Sequence, residues 1–409
     1  MIRDNYLNID KITQDKKIFR LFRTVEKHGG ILRFVGGSVR DALAGIGGFD
    51  LDMATDLSPE ELAEACAENG FKTVPIGIKF GTLGVIINDT VLEITSLRRD
   101  VKTDGRHAEV EFTSDWKIDA SRRDLTINAV YADDKGNVFD YYNGIDDLEK
   151  GVVRFIGSPS QRIKEDYLRI LRFFRFHSIF AKTPVDEKAL AACIENKDGL
   201  KSISLERIRD ELFKIILTPN AGKTLKIMSD NDILSSILPS MKNFKKLDFM
   251  MHEVETEKTG KDALRRLFVL FEPNEALAEN LAVRLKFTKK QRQSFVGWAR
   301  IDVKIEDYED ENKLTKLVYN TDKDFAVDKL IIMLALSNKS MADFEQKVDF
   351  IQNMVMPIFP IRGKDILNVC SDNREIGFLL NKLENCWIES NFRLTREELL
   401  NLVSKLKTA

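Results

Sequence analysis

In the first third of the chain the apolar residues come in short runs closed by glycine, asparagine or aspartate, the pattern of strands and tight turns. Ile31–Val35 predicts a strand that Gly36-Gly37 breaks, and Ser38–Ala44 reads as the helix behind it. Phe49–Ala54 predicts a second strand. Ser58-Pro59-Glu60-Glu61 predicts a helix start, with a capping serine, proline in the first turn and acids matching the dipole, and Gly70 marks the end. Leu83–Ile87 and Val91–Leu97 flank Asn88-Asp89 and predict a β-hairpin. Val110–Thr113 reads as extended, Asp119–Ala132 as helical and Asn137–Tyr141 as a strand. Beyond about Tyr142 the period changes from two to that of helices. Gln161–Phe180 predicts one long helix, Ser204–Leu217 a capped one, and helix after helix follows. The acidic stretch Asp302–Asn312 and Pro357–Pro360 are candidate boundaries. The chain is therefore read as α+β, an N-terminal α/β head followed by an elongated all-α remainder.

Composition narrows this picture modestly. The 409 residues suffice for two to four domains. A hydrophobic share of 43% and a charged share of 31% describe a soluble globular chain with no membrane span. The 63 Lys+Arg nearly cancel the 65 Asp+Glu, so any nucleic-acid surface must come from local clustering. Cys66, Cys193, Cys370 and Cys386 lie far apart, without metal-ligand spacing, and read as reduced thiols of a cytoplasmic protein.

Three constellations carry chemistry. Gly36-Gly37-Ser38-Val39-Arg40-Asp41 joins a strand to a helix, where backbone N–H groups can approach a phosphate. Asp50 and Asp52 follow, two apart on a predicted strand, so both project from one face as hard oxygen ligands suited to Mg²⁺. Glu93, on another strand, could add a third carboxylate. Either feature alone is usually a turn or a solvated face; the order and spacing together are more specific. The second constellation is Ser121-Arg122-Arg123-Asp124, read either as a salt-bridge network or as arginine for phosphate or sugar with Asp124 for a ribose hydroxyl. The third is Glu165-Asp166-Tyr167-Leu168-Arg169. On one helix Asp166 and Arg169 would share a face, most simply as an ion pair. As a fixed acceptor beside a fixed donor they would instead match the edges of cytosine and adenine and mismatch uracil and guanine. Arg162, Lys164, Arg172, Arg175 and His177 make the same segment the densest basic run, with Phe173, Phe174 and Phe176 read as core.

Together these residues resemble the class II tRNA nucleotidyltransferase and poly(A) polymerase family. Gly36–Asp41 with Asp50-Leu51-Asp52 is similar to its first signature, Arg122-Arg123-Asp124 to its second and Asp140–Leu148 to its hinge-like third. Glu165–Arg169 resembles the base-selecting fourth and Ile203–Glu211 the fifth, which supports the fourth. Pro360–Asp365 and Thr395–Leu399 resemble the tail more weakly. Gly48-Phe49 stands where a basic residue is common, and Ser371–Gly377 lacks the usual Gly/Pro-rich turn.

The resemblance implies a polymerase-β-like catalytic head over residues 1–142, a base-recognising neck over 143–217, a helical body over 218–335 and a tRNA-binding tail over 336–409. It implies ATP, CTP and the tRNA 3′ end as partners, with no protein partner evident. The implied catalytic residues are Asp50, Asp52 and Glu93, with Mg²⁺ at Asp50 and Asp52. The nucleotide would contact Gly36, Gly37, Ser38, Arg40, Arg123, Asp124, Asn128, Asp166, Arg169, Arg172 and Arg175, and RNA would contact Arg162 and Lys164. The segment Arg98–Ile118 resembles the loop that CC-only enzymes lack, which favours C and A addition or A addition alone. A poly(A) polymerase, or a non-catalytic RNA-binding protein on the same fold, are the alternatives.

Overall fold

The computed structural model describes residues 6–47, 51–104, 107–369 and 373–407. The chain divides into two compact units, Met1–Met241 and Lys242–Ala409.

The first unit begins with α1 (Lys16–Lys27), which buries Ile18, Leu21, Phe22 and Val25 on one stripe. Then come β1 (Leu32–Val35), α2 (Gly37–Ala44), β2 (Asp52–Thr55) and α3 (Pro59–Glu68). The Ser58 hydroxyl accepts from the Glu61 N–H while the Glu61 carboxylate accepts from the Ser58 N–H, the reciprocal cap that the sequence predicts. The strands β3 (Lys72–Gly77), β4 (Thr82–Ile87) and β5 (Thr90–Ser96) follow, then β6 (Arg98–Asp104) and β7 (His107–Phe112). After α4 (Trp116–Ser121) come β8 (Val130–Ala132) and β9 (Val138–Asp140). Among the described residues, seven strands form one mixed sheet in the order β3-β4-β5-β2-β1-β8-β9, and β6 pairs only with β7. Asn88 and Asp89 take φ of 49° and 63°, the left-handed pair of a tight hairpin turn between β4 and β5.

Strand alternation sorts the two faces. Phe34, Met53 and Ile94 pack with Leu21, Phe22 and Leu62 of α1 and α3. Val35 and Ala54 turn the other way, to Trp116 and Tyr131. Asp52 is two residues from Ala54 and shares its face. β2 runs parallel to β5, and Asp52 is level with Glu93.

The helices α5 (Gly144–Lys150), α6 (Pro159–Glu165), α7 (Arg169–Phe180), α8 (Glu187–Asn196), α9 (Leu205–Ile216) and α10 (Ala221–Asp230) complete the unit. Phe173, Phe174 and Phe176 are buried as core, and Ser204 caps α9 as expected.

Two expectations are corrected. Asp119–Ala132 is not one helix: α4 ends at Ser121, Thr126–Asn128 is a single tight turn, and β8 takes the remainder. The Asp124 carboxylate accepts its neighbour's N–H at Leu125, and Leu125 bridges Phe155 in an extended pairing, so the helix cannot propagate. Gln161–Phe180 is broken at Asp166, whose backbone is extended (φ −155°) and whose side chain accepts from the Leu168 N–H. Val110–Thr113 is extended as expected through Phe112, as the end of β7 paired with β6.

The second unit is helical. Ala263–Phe271, Glu275–Arg284, Lys289–Arg300 and Lys323–Ser337 surround Phe268, Phe295 and Trp298, while Asn373–Glu389 and Arg396–Lys407 enclose Leu383, Trp387 and Leu399. Asp302–Asn312 lies inside this unit: Tyr308 is buried and donates to the Ala326 carbonyl at 2.7 Å. Pro357–Pro360 lies inside it too. Among the described residues no helix is long and apolar enough to cross a membrane.

Candidate active site

The turn between β1 and α2 starts the site. Gly36 has φ 65° and ψ −118°, a backbone that an L side chain rarely adopts, and with it α2 begins at the wall of a cavity of about 1110 Å³. Gly37 and Asp52 line the same cavity. Ser38 does not: it is fully buried, and its hydroxyl donates to the carbonyls of Val35 (3.1 Å) and Asp52 (3.4 Å), tying β1 to β2. Glu93 is the exposed lateral neighbour of Asp52. Asp50, with Gly48 and Phe49 before it, lies outside the described residues, as do Cys370 and the start of Ser371–Gly377.

From α2 to α7, buried and half-buried side chains form a continuous chain of hydrogen bonds. Arg40 forks onto Asp41 at 2.7 and 2.8 Å and donates to the Asn128 side-chain oxygen. Asn128 donates to Asp124 at 3.0 Å, and Arg172 reaches the other Asp124 oxygen at 2.7 Å. Burial alone would raise the Asp124 carboxyl, but Arg172, Asn128 and Arg169 outweigh it and hold it well below the usual carboxylate range. Arg175 pairs with Glu211 at 3.0 Å. The guanidinium carbons of Arg40, Arg172 and Arg175 lie 4.7, 5.6 and 4.5 Å from the Phe176 ring centre, so this core aromatic also carries a cationic wall.

The break between α6 and α7 sets the far end. Asp166 and Arg169 both line the cavity but do not pair with each other, so the ion-pair reading fails. Asp166 is held by Arg207 at 2.8 Å, and Arg169 by Glu165 at 2.6 Å and by the carbonyls of Arg162 and Arg122. Each keeps a limited exposure, 19% and 14%. Arg162 is turned inward onto Glu165 and the Ser121 carbonyl, Lys164 is exposed, and neither lines the cavity.

One cavity thus gathers a strand-edge acid, a glycine turn, a cationic wall and a fixed donor–acceptor pair. Over 383 residues the chain is 36% identical to the human mitochondrial CCA tRNA nucleotidyltransferase 1, covering 91% of this chain and 86% of that protein. The chain belongs to the tRNA nucleotidyltransferase and poly(A) polymerase family. Within the family, a profile described as the Poly A polymerase head domain matches residues 32–154, and one described as a probable RNA and SrmB-binding site of polymerase A matches 184–245. The CCA-adding enzyme of Staphylococcus haemolyticus is 27% identical over 392 residues, 95% of this chain and 94% of that one. The structure of the Bacillus stearothermophilus CCA-adding enzyme in complex with CTP superposes with a TM-score of 0.80 at 21% identity, covering 96% and 97% of the two chains, and shares the fold.

Nucleotidyltransferases of this family use divalent metal ions. Among the described residues no group of three His, Cys, Asp or Glu side chains is placed to hold one. The described part of the donor set is nevertheless of the right kind: Asp52 and Glu93 are level, exposed, hard oxygen donors with no soft ligand beside them. In this nucleotidyltransferase, sequence reasoning passed over Asp119 and Tyr131, whereas Arg207 lies in the Ile203–Glu211 segment expected to support Glu165–Arg169 and does hold Asp166. Asp119 stands one helical turn before Arg123, a spacing that could have been noticed; Tyr131 meets its partners only through the fold.

Proposed function

We propose that this protein adds C and A nucleotides from CTP and ATP to the 3′ end of tRNA without a nucleic-acid template, releasing pyrophosphate. The observation that carries the reading is the single cavity in which Asp52, the Gly36 turn and the Asp166–Arg169 pair all meet, in a chain 36% identical to a CCA tRNA nucleotidyltransferase across nearly its whole length. In this reading Asp50 and Asp52 hold Mg²⁺, which when bound would activate the 3′-hydroxyl and stabilise the departing pyrophosphate as a two-ion centre. Glu93 supports that edge. The N–H groups after Gly36, together with Arg40 and Arg123, hold the triphosphate, and Asp124 and Asn128 hold the ribose. Arg172 and Arg175 supply the positive field of the wall, so positioning and electrostatics provide most of the catalysis. Asp166 accepts from the amino group of cytosine or adenine, and Arg169 donates to the adjacent ring nitrogen. Lys164, exposed on α6, is offered to RNA. Residues 1–142 act as catalytic head, 143–217 as neck, 218–335 as body and 336–409 as a tRNA-binding tail. A cytoplasmic location fits the buried free thiols of Cys66 and Cys193 and is checked by fractionation.

The test supplies purified protein with tRNA lacking its 3′ end, Mg²⁺ and each labelled nucleotide in turn. C and A should be incorporated and U and G excluded. Incorporation of A alone, on tRNA ending in CC, would reassign the protein as an A-adding enzyme. A long homopolymer on any RNA would make it a poly(A) polymerase, and no incorporation would leave a binding protein. The β6–β7 hairpin favours A addition being present: shortening it between Val101 and Glu109 should impair A addition more than C addition.

A further inference from the structure

Outside the cavity, yet bonded to two residues that line it, lies a buried carboxylate that the proposed mechanism does not use. Asp119, near the end of α4, is 1% exposed and does not line the cavity. One of its oxygens takes the Arg122 guanidinium at 2.8 and 2.7 Å. The other takes Arg123 Nη2 at 3.0 Å and the Tyr131 hydroxyl at 2.7 Å. Arg123 Nε donates to that same Tyr131 oxygen at 3.1 Å. The Tyr131 ring is fixed in turn by Trp116, edge to face with centroids 5.3 Å apart. The Nε–Nη2 edge of the Arg123 guanidinium is therefore anchored from behind. Its Nη1 has no hydrogen-bond partner among the described residues and lies 3.6 Å from where a Cβ on Gly36 would stand, at the glycine turn. Both arginines line the cavity.

We propose that Asp119, assisted by Tyr131, is the positioning residue that aims Arg122 and Arg123 at the triphosphate of either nucleotide. The physical case is preorganisation. A free arginine loses side-chain entropy when it grips a phosphate, whereas one held in a fixed fork has already lost it. Asp119 stays ionised to do this: burial alone would raise its carboxyl, but Arg123, Arg122 and the Tyr131 hydroxyl hold it at about 2. The same segment reaches the base-reading end, because the Arg122 carbonyl accepts from Arg169 at 3.3 Å. The inference rests on the nucleotidyltransferase reading of the cavity.

Two effects of removing the charge oppose each other. Losing orientation weakens nucleotide binding, whereas leaving two arginines uncompensated strengthens attraction for an anion, so the sign of the change decides. Equilibrium binding of ATP and CTP to the full-length protein, without RNA, is the measurement. Asp119→Asn should weaken both about tenfold, with the ATP-to-CTP ratio unchanged. In an Arg122→Ala/Arg123→Ala background the same substitution should have no further effect. Tyr131→Phe, which keeps the charge balance, should weaken both about threefold and decides the matter if Asp119→Asn fails to fold. Unchanged or tighter binding in the folded single variants, or a full effect in the arginine-free background, overturns the proposal. Because RNA is absent, failure of the C-and-A-adding reading would show separately, in the incorporation assay of the unmodified protein.

Discussion

At one end of the cavity Asp52 stands exposed on β2, level with the exposed Glu93 of the parallel neighbour β5, which does not itself line the cavity. At the other, Asp166 and Arg169 are mostly withdrawn from water, and each is gripped by an opposite charge, Arg207 and Glu165. Under the proposed function the contrast follows from what each end meets. A hydrated divalent cation arrives with water and charge of its own, so the acids that receive it are best left exposed to solvent. A nucleobase edge is neutral and carries only a pattern of donors and acceptors. Groups that read it gain from being fixed beforehand, since every rotamer frozen on binding subtracts from discrimination.

The contrast can be broken in four places. Asp52→Ala and Glu93→Ala should each reduce incorporation of C and A alike, by about a thousandfold for Asp52, while tRNA affinity stays within about twofold. Near-normal turnover in both would remove the strand edge from the chemistry. Arg169→Ala and Asp166→Ala should keep that chemistry and lose choice. A hydrogen bond to a charged group contributes about 1.5–3 kcal/mol, or roughly one to two orders of magnitude of selectivity against U and G. Identical ratios among the four nucleotides in wild type and variants would return both residues to a structural role.

The third effect is on stability. Asp119 titrates near 2 in the folded protein against an ordinary 3.8, so its contribution is fully present above the unfolded value and is lost as pH falls through the folded one. That contribution is ~2 kcal/mol. Denaturant titrations between about pH 5 and 2 should show Asp119→Asn with a flatter acid limb than wild type. A parallel limb would mean that the arginine cluster does not hold this charge. The smallest effect is expected for Arg207→Ala, which loosens Asp166 without touching substrate and should cost about threefold in base selectivity. Selectivity as poor as in Asp166→Ala would show that Arg207 itself reads the base.

Much of the head was legible because its signals are local. The Gly36 turn, the Ser58 cap and the Asn88-Asp89 hairpin each depend on residues within a few positions of one another. What escaped depends on distant partners. β3, with Pro75 and Gly77 and a mostly exposed face, carries almost no strand signature and exists because β4 pairs with it at the sheet edge. The apparent helix through Asp166 satisfies every short-range rule; it breaks where Asp166 accepts from Leu168 and meets Arg207 of α9. The same break changes the site, since a continuous helix would have paired Asp166 with Arg169 and left neither to a ligand. Asp119 was hidden because its role passes through Tyr131, on a strand that the pattern read as helix.

The placement of β1 has a consequence for how the protein is made. One edge of β1 is covered at once by β2, but the other waits for β8, where Phe34 meets Ala132 and Val35 meets Tyr131. On the ribosome, the strand that feeds the glycine turn therefore has an open, apolar edge until Tyr131 and Ala132 have been synthesised and have left the exit tunnel. Until then the nascent head can fold only in part, with a template for strand pairing exposed to neighbouring chains. Pauses in translation between β2 and β8 would prolong that interval, and a chaperone that shields strand edges would act there.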